Sequence, residues 1–108
     1  MKKALSLSVV IFLSLCVGLG IAAEKMKEKT GESLFKQHCE ICHPDGGNIM
    51  DPQKTLHRKD LEKQGIIKPE DIIGTLRNPG PGMIKFDEKT IPDADAKKIA
   101  EYILETFK

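Results

Sequence analysis

One window constrains this chain more than any other: Cys39-Glu40-Ile41-Cys42-His43, followed at once by Pro44, Asp45 and two glycines. Two thiols and an imidazole at this spacing can hold zinc, exchange a disulfide or carry a covalent cofactor. Structural zinc uses four Cys or His ligands, usually as two spaced pairs. Here no second pair of cysteines stands apart from the first. A thioredoxin-like pair follows a strand and opens a helix inside a βαβ unit. This pair instead closes a charged helical segment in a chain without strand patterning. The third option fits: C-x-x-C-H is the attachment signature of c-type haem. Each thiol adds across a porphyrin vinyl group to form a thioether. The adjacent His43 is thereby carried beneath the iron as proximal ligand.

The size of the chain also favours such a group. Residues 1–23, MKKALSLSVVIFLSLCVGLGIAA, place two lysines before a long apolar run that ends in small residues, and dense charge starts at Glu24. This is the layout of a secretory signal peptide, with cleavage expected after Ala23 and one domain over 24–108. Two other readings of the segment are an uncleaved membrane anchor, since the run approaches the ~20 apolar residues of a span, and a lipobox ending at Cys16. Only two cysteines then remain, both in the motif. The domain has no Trp and a single Tyr, and a domain this small commonly needs a disulfide, a metal or a cofactor to complete its core. A disulfide closing the two-residue loop of C-x-x-C would constrain almost nothing.

Removing residues 1–23 takes Lys2 and Lys3 and no acid, so 17 basic residues become 15 against 16 acidic, a net charge of −1. A near-neutral chain with interspersed signs lacks the basic stripe that nucleic-acid binding requires.

The apolar periodicity is helical. In PDADAKKIAEYILETFK, residues Ala96, Ile99, Ala100, Ile103, Leu104 and Phe107 make one continuous stripe. Asp93 is the expected N-cap, after Pro92. TGESLFKQHC predicts a first helix capped by Thr30, with Leu34, Phe35 and Cys39 on its inner face. A short helix is expected in TLHRKDLEKQG, ending at Gly65. KPEDIIGTLRNPG predicts another, with Pro69 at its first position, Ile72, Ile73 and Leu76 inward, and a stop at the following prolines and glycines. No period-2 alternation marks a sheet.

The second axial position separates electron carriage from ligand chemistry, because an open iron binds small molecules and a filled one does not. Met26, Met50, Met83, His38 and His57 are the candidates. His38 is tied to the proximal side, and His57 lies in a charged stretch. Met83, in the Gly/Pro-stiffened loop NPGPGMIKF, can cross the far face and is the expected distal ligand.

These residues together resemble the class I monohaem cytochromes c, most closely the cytochrome c6 (c553) group. GESLFKQHCEICH is similar to that family's opening helix, with Gly31 and Phe35 at its crossing and contact positions. CHPDGGNIMDPQKTL resembles its segment of paired glycines, Asn, a proline and Lys-Thr-Leu. GMIKF stands where the family has Met-Pro-x-Phe, and IAEYIL where its terminal helix packs an aromatic on the first. The resemblance implies an all-α fold of about four helices around one covalent haem. It implies Cys39 and Cys42 as thioether donors, His43 and Met83 as axial ligands, and Pro52 as the residue whose carbonyl accepts the hydrogen bond from the His43 imidazole, with Pro44 the competitor. Two positions depart from the pattern: Pro44 replaces a small residue after the histidine, and Ile84 replaces the proline after the methionine.

The expected activity is one-electron carriage between a redox protein donor and an acceptor in the periplasm or an equivalent compartment. No enzymatic reaction, small-molecule substrate or nucleic acid is expected, and membrane contact is expected only through an uncleaved or lipidated N-terminus. Two alternatives are a haem-based sensor with a displaceable or absent distal Met, and an electron-entry subunit of a larger redox enzyme.

Overall fold

The computed structural model describes residues 29–108. The expected leader, its boundary at Ala23, Cys16 and Met26 lie outside the described residues. Among the described residues there are four α-helices and no strand: α1 (Gly31–His38), α2 (Arg58–Lys63), α3 (Pro69–Arg77) and α4 (Asp93–Thr106), with a single 3₁₀ turn at Pro44–Gly46. None is long and apolar enough to cross a membrane.

α1 starts where Thr30 predicts it. The Ser33 N–H donates to Thr30 Oγ1 at 3.1 Å and the Thr30 N–H to Ser33 Oγ at 3.0 Å. This reciprocal box satisfies two amide donors that a helix start leaves orphaned. Its inner face buries Leu34, Phe35 and Cys39. α1 lies against α4 at Gly31, where a Cβ would collide with the Lys98 carbonyl and with Tyr102 Cβ. That absence lets the helices approach until Phe35 and Tyr102 rings sit 5.3 Å apart.

α3 opens with Pro69 at its first position, and the Asp71 carboxylate accepts from the Ile67 and Lys68 N–H groups at 3.0 and 3.1 Å. Of the expected stripe α4 buries Ala96, Ile99, Ala100 and Ile103, with Leu104 partly buried and Phe107 closing its end. Its start corrects the reading of Asp93 as N-cap. Pro92, extended at ψ 155°, occupies that position, and Asp93 is the first helical residue. The Asp93 carboxylate is engaged elsewhere, by Arg77 Nη2 at 2.7 Å.

Candidate haem site

The C-x-x-C-H window continues α1 by one more turn. Cys39 N–H donates to Phe35 O at 2.8 Å, and the Cys42 and His43 N–H groups both donate to Cys39 O, at 3.1 and 2.9 Å. The chain then doubles back tightly. Asp45 and Gly46 take positive φ, 53° and 78°, while the Gly46 N–H donates to His43 O at 3.1 Å and the Gly47 N–H to Pro44 O at 2.9 Å. This turn returns the Gly47 carbonyl to the imidazole, with His43 Nδ1 2.7 Å from Gly47 O. A carbonyl oxygen only accepts, so Nδ1 carries the proton and Nε2 keeps a free lone pair.

That contact corrects the assignment of Pro52 as acceptor for the imidazole. Pro52 is exposed and sits in a later turn organised by Asn48, whose Oδ1 accepts from the Met50 and Asp51 N–H groups and whose Nδ2 donates to Lys54 O. The imidazole does not reach Pro44 either: its Nδ1 meets Gly47 O, while the Pro44 carbonyl accepts from the Gly47 N–H. The paired glycines were visible in the sequence; that the second one closes back on the histidine needs the left-handed pair before it.

Cys39 and His43 open into a cavity with Met83 on its wall, and Leu61, Ile72, Leu76 and Ile103 among its apolar lining. Its volume, ≈ 130 Å³, is several times the ~30 Å³ share of one water, so it is no packing defect. Cys42 and Pro52 are not among the lining residues; Cys42 is exposed. Burial pushes the Cys39 thiol up to about 11, with Cys42 beside it adding to the shift. Such a thiol is a poor partner for disulfide exchange at neutral pH. Of the other distal candidates, Met50 is 65% exposed, His57 is exposed with its ring against Phe107, and His38 is half-buried with its ring near Phe86.

Two thiols, an imidazole with Nε2 free, one thioether sulfur and apolar walls are the donor set a haem c requires. Comparison with known proteins agrees. The family described as "Cytochrome C oxidase, cbb3-type, subunit III" matches residues 27–103. A "Cytochrome c6-like" protein of Nostoc sp. PCC 7120 is 32% identical over 105 residues, 97% of this chain and 94% of its own length. The chain belongs to the class I monohaem cytochromes c, close to the c6 group. Solved cytochromes share its fold. The outer membrane cytochrome OmcF of Geobacter sulfurreducens superposes with TM-score 0.71 at 50% identity, over 72% of this chain and 99% of its own. Cytochrome c6C of Synechococcus sp. PCC 7002 gives 0.66 at 25% identity, over 71% and 93%. As a cytochrome of this family the chain carries covalently bound c-type haem and transfers electrons; it is not an enzyme.

Proposed function

We propose that the chain is an exported one-electron carrier in which Cys39 and Cys42 hold the haem through thioethers and His43 and Met83 are its axial ligands. The observation that carries this reading is the cavity that Cys39, His43 and Met83 line together, with the His43 ring locked by Gly47. Haem bound there supplies a reversible one-electron change at iron, with a potential that a Met/His pair raises. The protein's own work is positional. Gly47 O fixes the imidazole tautomer and ring orientation and raises the basicity of Nε2. The apolar walls keep water from the site. With both axial positions taken by the chain itself, little has to move between redox states.

Redox proteins are the partners this reading implies, on both the donor and the acceptor side. The leader-like residues 1–23 support export. The name of the similar Geobacter protein, an outer membrane cytochrome, supports a place outside the cytoplasm and is compatible with a membrane-attached form. A role as electron-entry subunit has one observation behind it, the oxidase-subunit description of the matching family. The near full-length match to a c6-like protein favours the free carrier.

The test is the intact mass of the full chain expressed in a host with haem-attachment machinery. The reading expects a polypeptide beginning at Glu24 plus one haem, held in part through each of Cys39 and Cys42. A polypeptide without added haem overturns it. A lipidated product beginning at Cys16 overturns only the cleavage after Ala23.

A further inference from the structure

Arg77 ends α3 and faces three acceptors on the segment that leads from the Met83 loop into α4. Nη1 donates to Phe86 O at 3.2 Å, and Nη2 donates to Ile91 O at 2.8 Å and to Asp93 Oδ1 at 2.7 Å. These acceptors lie 9, 14 and 16 residues along the chain. The arginine side chain is 22% exposed and that of Asp93 72%, so the two carbonyl bonds are the better shielded from water. The segment is built to receive the fork. The Asp87 carboxylate accepts from the Lys89 and Thr90 N–H groups, and the Ile91 N–H donates to Asp87 O at 3.0 Å. That turn offers the carbonyls at its two ends, Phe86 and Ile91, to one guanidinium.

The loop this segment terminates is otherwise sparsely held. Among the described residues, the backbone hydrogen bonds of 78–85 are Asn78 N–H to Gly74 O at 2.9 Å and a long one from Met83 N–H to Gly80 O at 3.5 Å. The loop is closed at its base by Phe86 N–H donating to Leu76 O at 2.9 Å. Arg77 sits at that base. Loops with few internal contacts open locally at low cost, and what fixes their ends sets how often they do so.

We propose that Arg77 is a positioning residue for Met83: by clamping Phe86 and Ile91 it holds the methionine loop shut over the cavity and so sets how easily an outside ligand displaces the thioether. This rests on the reading of Met83 as distal ligand. A planar fork with five donors can serve three acceptors at once, whereas a lysine ammonium is a point charge on a flexible stem. Lysine therefore cannot substitute.

The experiment titrates the ferric haem-loaded protein with imidazole and follows loss of the sulfur-to-iron charge-transfer band in wild type, Arg77→Lys, Arg77→Leu and Asp93→Asn. Arg77→Lys is expected to bind imidazole about tenfold more tightly than wild type, the weight of roughly one charge-assisted hydrogen bond, and Arg77→Leu at least as tightly. Asp93→Asn, which leaves both carbonyl bonds, is expected to stay close to wild type. Ile99→Val, a buried change away from the cavity, is expected to lower the unfolding midpoint without altering imidazole affinity. Should Arg77→Leu fail to fold, Arg77→Lys decides. A wild type that shows the band, with unchanged imidazole affinity in Arg77→Lys, overturns this proposal alone. A wild type without the band overturns the Met83 assignment and this proposal with it.

Discussion

The ring of Phe107 lies over the backbone of Gly46: a Cβ on that glycine would stand 2.5 Å from Phe107 Cδ1. The contact joins the turn after His43 to the end of α4. Two neighbouring bonds reinforce it, Leu56 N–H to Gly46 O at 2.7 Å and Arg58 N–H to Phe107 O at 2.8 Å. The turn that returns Gly47 O to the imidazole is thus anchored by the terminal helix.

Gly46→Ala is therefore expected to be costly for two reasons at one position. Alanine at φ 78° is strained, and its methyl drives into the Phe107 ring. Left-handed strain and overpacking together predict a loss of about 3 kcal/mol. Denaturant unfolding of the haem-loaded protein measures it, and a loss below about 1 kcal/mol would show that the Phe107 contact gives way.

The packing of α1 on α4 predicts a coupling. Phe35 lies 5.3 Å from Tyr102 and 5.4 Å from Phe107, ring centre to ring centre. In a double-mutant cycle with Phe35→Leu and Tyr102→Leu, the two losses are expected to fall short of additive by about 0.5–1.5 kcal/mol, the worth of an aromatic pair beyond its buried area. Strict additivity would mean the two rings contribute only area.

Acid weakens the start of α3. The Ile67 and Lys68 amides hold the Asp71 carboxyl below its ordinary value of 3.8. A carboxylate with a depressed folded-state pKa binds its proton more readily when unfolded, so its contribution is full above 3.8 and disappears as pH falls through the folded value. Asp71→Asn should accordingly lower the urea midpoint at pH 7, with the gap to wild type narrowing in strong acid. A gap independent of pH would assign the loss to the altered side chain rather than to its charge.

The helices were legible in the sequence because their signals are local. The 3.6-residue stripe of α4, the Thr30 cap and Pro69 at the head of α3 all act within a turn or two of themselves. Asp93 was misread as a cap because its carboxylate goes to Arg77, 16 residues away, and no local rule reports a distant competitor. The motif pointed to the proximal half of the site, and Cys39 and His43 line one cavity. The acceptor for His43 was misplaced at Pro52 because a resemblance transfers residue types, whereas the Gly47 contact depends on two consecutive left-handed residues, Asp45 and Gly46. Arg77 was silent in the sequence for a related reason: two of its three acceptors are backbone carbonyls, which carry no residue-type signature, and the third, Asp93, is 16 residues away.

The central claim is that Met83 completes the iron's coordination, and the visible spectrum of the ferric haem-loaded protein tests it most directly. Sulfur ligation gives a weak long-wavelength charge-transfer band that histidine-filled and open sites lack. The account predicts that the band is present in wild type and lost in Met83→Ala while the haem stays attached through Cys39 and Cys42. A haem-loaded wild type without the band, or a Met83→Ala variant that keeps it, would contradict the account.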